Sequence, residues 1–132
     1  MKKELQEKLF EKYPKIFAQR HLPKTESAMC YGIGCGDGWY DLIDTLCLNI
    51  QAYVDFNNKK VAKKSNNWGT TMIPPNYNRI KCEAKQVKSK FGGLRFYIVG
   101  GDSFIEGLIT MTESMSRKIN EKIEEKNDTQ SI

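Results

Sequence analysis

At 132 residues the chain suits one domain, which should bury about two-thirds of the surface its unfolded form exposes. A content of 39% hydrophobic and 11% aromatic residues excludes wholesale disorder, and no run approaches the ~18 consecutive apolar residues of a membrane span. Lys and Arg number 21 against 16 Asp and Glu, a net +5 that favours an anionic partner such as a nucleic acid, a nucleotide or an acidic protein.

The charged start, Met1-Lys2-Lys3-Glu4-Leu5, lacks the apolar core of a signal peptide, so a reducing cytoplasm and free thiols are expected. Leu5, Leu9, Phe10, Tyr13, Ile16 and Phe17 recur at threes and fours and predict an amphipathic helix that stops or bends at Pro14. Residues 18–36 read as loop. Asp37 suits a helix N-cap, and Trp39, Leu42, Ile43, Leu46, Ile50, Tyr53 and Val54 form an apolar helical stripe to about Phe56.

From 57 to 78 the chain turns polar and irregular, which reads as a long loop of the kind that often carries function. Trp68 lies in it beside Lys63, Lys64, Asn66 and Asn67. It either stacks on a base or pins the loop to the body. Residues 79–85 alternate as a strand with Ile80, Cys82 and Ala84 on one side.

A hairpin follows over 86–99, with Gly92-Gly93 as its expected turn. Pairing outward from those glycines sets Lys90 opposite Arg95 and Lys88 opposite Tyr97. Val87, Ser89, Phe91, Leu94, Phe96 and Ile98 then share one face, and Lys88, Lys90, Arg95 and Tyr97 share the other. The apolar parity changes between Ala84 and Val87, which a β-bulge near Lys85-Gln86 or a break between two strands would explain. Ser103 with Glu106 forms a capping box for a last helix running to about Lys126, with a frayed tail over 127–132.

The hairpin is the strongest candidate site, because like charges placed directly across a strand pair repel each other. An anion over that face explains them: Arg95 offers a planar fork, Lys88 and Lys90 act as point charges, and Tyr97 stacks or donates a hydrogen bond. The competing reading is a solvated face whose charges splay apart or pair with Glu83 or Asp102. The Gly-rich stretch from Gly32 to Gly38 is either a structural turn and cap or a phosphate-cradling loop, and it lacks the Gly-Lys-Ser/Thr of a Walker loop. Cys30, Cys35, Cys47 and Cys82, with His21 as the one histidine, do not have the spacing of a metal site. No nucleophile and base stand in a catalytic arrangement, so a cofactor-free, non-enzymatic role is expected.

Gly34-Cys35-Gly36-Asp37-Gly38-Trp39, together with Val87-Lys88-Ser89-Lys90-Phe91-Gly92-Gly93-Leu94-Arg95-Phe96-Tyr97, resembles a group of small proteins of tailed bacteriophages and prophages, over about 29–116. Some of that group carry a cysteine pair in the C-terminal part, whereas residues 117–132 here hold none. The resemblance implies a phage accessory protein acting in the cytoplasm of an infected bacterial host, and such proteins often blunt host defences.

The expectation is therefore one α+β domain over 1–132, with a small antiparallel sheet centred on the hairpin at about 79–99 and packed against two or three helices. An anionic, nucleotide-like ligand is expected on Lys88, Lys90, Arg95 and Tyr97, with Trp68 closing over it, so that the protein sequesters a host defence signal. Docking on an acidic host protein and plain nucleic-acid binding are the alternatives, and self-association is left open.

Overall fold

The computed structural model describes residues 1–67 and 79–122. Among them the order is α1 (Lys3–Lys12), β1 (Ile33–Gly34), α2 (Tyr40–Asn67), β2 (Cys82–Lys90), β3 (Gly93–Gly100) and α3 (Ser103–Ser116), with short 3-10 turns between α1 and α2. This is a small α+β fold. The hairpin β2–β3 is antiparallel as expected, and the two residues of β1 add a parallel strand on the other side of β2, giving the order β1-β2-β3. No described helix is long and apolar enough to cross a membrane.

Alternation along the hairpin decides which face is buried. Ala84, Val87, Leu94 and Phe96 turn inward against Leu9, Phe10, Ile16, Phe17, Met29, Trp39, Ile43 and Ile50. Each of the Val, Leu, Ile, Phe and Met side chains among them, fully withdrawn from water, contributes roughly 1.5–3 kcal/mol. The bulge expected near Lys85-Gln86 is present as a register shift between Ala84 and Gln86. There the Ala84 N–H donates to the Ile16 carbonyl at 2.7 Å, and the Lys85 carbonyl accepts from Ser27 Oγ at 3.2 Å. The bulge thus returns Val87 to the core side and ties the strand to the first third of the chain.

Several expectations need correction. The helix expected to end near Phe56 runs on to Asn67. Residues 57–67 contain neither Gly nor Pro, so the loss of apolar spacing there does not end the helix. Asn58 also clamps the chain ahead of β2, accepting from Ile80 N at 3.0 Å and donating to its carbonyl at 3.1 Å. The last helix stops at Ser116, short of Lys126, and its cap is Asp102, whose Oδ1 accepts from Ile105 N at 3.0 Å. The strand expected from 79 begins at Cys82.

The hairpin turn is Phe91-Gly92, one position earlier than the expected Gly92-Gly93, with φ of 52° and 77°. Lys88 therefore pairs with Arg95, Gln86 with Tyr97, and Lys90 with Gly93. Phe91 leaves the apolar face for the turn, where it is 87% exposed.

After α3 the chain folds back over 117–122. The Gly38 N–H donates to the Glu121 carbonyl at 2.6 Å, and Trp39 Nε1 donates to the Ile119 carbonyl at 2.7 Å. Gly36 is needed at this crossing, since a Cβ there would lie 2.2 Å from the Glu121 carbonyl oxygen. Gly107, on α3, has no atom within 4 Å of its Cβ position. Gly36→Ala is expected to lower stability by about 1–3 kcal/mol, as overpacking does. Gly107→Ala should raise it by about 0.5–1 kcal/mol through helix propensity. Urea midpoints of the two variants check both signs.

Candidate functional site

The outer face of the sheet is built by the side chains that alternation turns away from the core. Down the hairpin they form the pairs Glu83–Val99, Gln86–Tyr97, Lys88–Arg95 and Lys90–Gly93. The parallel strand places Gly34 beside Lys88, so the middle rung reads glycine, lysine, arginine across three strands. Lys88 and Arg95 are half-buried, Lys90 is exposed and Tyr97 is 40% exposed. The four hairpin residues singled out in the sequence therefore do share one face. The like-charge pair is Lys88 with Arg95 instead of Lys90 with Arg95.

Arg117 joins them. At Gly93 an added Cβ would lie 3.0–3.3 Å from the Arg117 guanidinium, which therefore packs on the backbone of the last rung. Because Gly93 shares its strand face with Arg95, the guanidinium lies on the cationic side. Sequence reasoning missed this residue. Its only signal was an arginine within a stretch read as continuing helix.

The carboxylates proposed as neutralisers are engaged elsewhere. Glu83 pairs with Lys81 at 3.4 Å and accepts from Gln19 Nε2 at 3.1 Å. Asp102 caps α3 and accepts the Tyr53 hydroxyl. Burial pushes its carboxyl up, but the hydrogen bonds from Tyr53 and from the Ile105 and Phe104 amides outweigh it and hold the group below the usual range. Among the described residues, none of Lys88, Lys90 and Arg95 makes an ion pair. Trp68 lies outside the described residues.

The Gly-rich loop holds an anion, and the anion is the chain's own. Glu121 Oε1 accepts from Gly36 N at 3.0 Å while Oε2 accepts from Ser89 Oγ at 2.6 Å. Asp37 is no helix cap here. Its Oδ1 accepts from Lys2 N at 2.7 Å, its carboxylate pairs with the Lys2 ammonium at 3.9 Å, and Gln6 Oε1 takes the Ile33 N–H at 2.8 Å. The loop thus joins α1, β1 and the returning segment after α3, which is the structural reading of its glycines.

Tyr13, Asp44 and Lys12 converge between α1 and α2, with Asp44 Oδ1 accepting from the Tyr13 hydroxyl at 2.6 Å and from Lys12 Nζ at 2.8 Å. Burial, then the Asp44 carboxylate, raises the Tyr13 phenol well above its ordinary value. The Tyr13 hydroxyl thus pins one helix to the other. Cavities among the described residues lie elsewhere. One of about 420 Å³ runs between α2 and α3 along Leu42, Leu46, Leu108, Met111 and Met115, and one of about 240 Å³ lies near Lys15 and Lys81.

In comparisons with known proteins, the chain matches no family model, no curated protein and no solved structure.

The cysteines are scattered, and no three His, Cys, Asp or Glu groups among the described residues converge on a metal-sized site. Cys30 is exposed, whereas Cys35, Cys47 and Cys82 are buried. Burial is the main reason that the Cys35 thiol is pushed up to about 12 and that of Cys82 to about 11, and Cys47 is raised well above its ordinary value. A thiolate reagent at pH 8 should therefore label one thiol quickly in the native protein and all four after unfolding. Loss of the fast phase in Cys30→Ser, with the slow phase unchanged, identifies it.

Proposed function

We propose that the outer face of the hairpin binds an anionic, nucleotide-like ligand through Lys88, Lys90, Arg95 and Tyr97, with Arg117 as a further cation. The observation that carries this reading is the Lys88–Arg95 rung. Two like charges with Cβ atoms about 5 Å apart destabilise a bare strand pair, and a bound anion converts that repulsion into attraction. Arg95 meets two phosphate oxygens through its fork, the lysines neutralise charge, and the Tyr97 ring offers a surface to a base.

The protein acts by holding its ligand rather than by turning it over. In the infected bacterium implied by the resemblance to phage accessory proteins, such retention withdraws a host defence signal. Docking of the same face on an acidic host protein is the competing outcome, and recovery of a stoichiometric protein partner from bacterial lysate distinguishes it.

Thermal shifts with mononucleotides, cyclic dinucleotides and short oligonucleotides test the reading. At a hundredfold excess over Kd a ligand adds about 2.7 kcal/mol to stability. Arg95→Ala is expected to abolish the ligand-induced rise in Tm while leaving the Tm of the free protein near that of the native chain. Absence of any shift across the panel would falsify the proposal.

A further inference from the structure

The turn of the hairpin is built against its own backbone preference. Two-residue turns of this kind favour Asn-Gly or Gly-Gly, because both central residues take positive φ. Here the first position is phenylalanine at φ 52°, and its ring is 87% exposed. A bulky residue in the left-handed region is strained, and strain of this sort concentrates at ligand sites. The ring keeps company with one of the cations of the outer face, since the Lys90 ammonium lies 5.7 Å from its centroid.

The cationic face is thereby bounded by an aromatic at each end. Tyr97 stands at the upper rung and Phe91 at the turn. Lys88, Arg95, Lys90 and Arg117 lie between them. From Tyr97 to Gly93 the strand covers about 13 Å at roughly 3.3 Å per residue, and the turn adds to that. A nucleic-acid strand rises about 3.4 Å per stacked nucleotide and more when extended. One nucleotide therefore cannot reach both rings, whereas three or four can. The rings need open base faces, which a duplex does not offer. Gly34 leaves the β1 side of the middle rung without a side chain, so a strand can lie close to the sheet.

We propose, resting on the reading of this face as a nucleotide site, that its ligand is a single strand of nucleic acid spanning at least three nucleotides. Phe91 and Tyr97 stack the outer bases, and the four cations between them carry the phosphates. Recognition of this kind is largely indifferent to sequence.

Titration calorimetry with thymidine 5′-monophosphate and oligothymidylates of two to ten nucleotides, at two salt concentrations, tests the proposal. Affinity should climb steeply up to about four nucleotides and then flatten, and it should fall as salt rises. Phe91→Asn supplies the residue that the turn prefers, so it should raise Tm. It should also weaken hexamer binding by roughly tenfold or more, the usual loss of one stacking ring, and leave the monophosphate unaffected. Tyr97→Ala should weaken the hexamer to a similar degree. A monophosphate that binds as tightly as the hexamer overturns the strand and keeps the nucleotide site. Tighter binding of a duplex, or hexamer binding unchanged in Phe91→Asn, also overturns it. Failure of every nucleotide to bind, or binding untouched by Arg95→Ala, removes the nucleotide reading itself.

Discussion

The rest of the structure depends on the seal that α3 places along the open edge of β3. Ser116 Oγ accepts from Leu94 N at 2.8 Å, and Glu113 Oε2 accepts from Phe96 N at 2.9 Å. A bare edge strand presents such amides to any other strand that comes by, and here side chains of a helix satisfy them instead. Leu94 and Phe96 are also the residues that β3 commits to the core. One set of contacts therefore fixes the helix, the strand and the burial of the hairpin together. It also decides where the chain emerges from α3, which brings Arg117 over Gly93 and Glu121 to Gly36.

The fold was legible where side-chain periodicity coincided with burial. The two faces of the hairpin came from alternation alone, and they survive an error in the turn. Moving a two-residue turn by one position changes each partner by two residues, and a shift of two preserves the faces. The partner of Arg95 was lost in that shift, since two adjacent glycines drew the turn toward themselves and away from Phe91. The extent of α2 was hidden because polarity was read as loop, although Lys, Ala and Asn continue a helix in water when no Gly or Pro intervenes. The end of α3 was overrun for the opposite reason. Ile119 and Ile123 continue the apolar spacing, but Ile119 serves the turn that follows the helix.

The site was legible in part. Lys88, Lys90, Arg95 and Tyr97 are neighbours through strand geometry, which a sequence expresses directly. Arg117 arrives through the docking of a helix on a strand edge, and such a contact leaves no local pattern. The Gly-rich loop shows the reverse case. Its glycines accommodate a carboxylate and a close backbone crossing, which is the structural one of the two readings. The ligand came from the same chain, 85 residues away.

That separation bears on the order in which the molecule assembles. The hairpin, its turn and α3 are neighbours in sequence and can gather while the rest of the chain is open. Joining Gly36 to Glu121 closes a far longer loop, and the entropy of closing it must be met before the contact returns anything. The clasp between the glycine loop and the returning segment is therefore among the costliest contacts of the fold in chain entropy, unlike those within the hairpin and α3. Arg117 belongs to the local set, since it directly follows Ser116, whose hydroxyl accepts from Leu94 N, so the cationic face is drawn from neighbours in sequence while the glycine loop reaches it from far away.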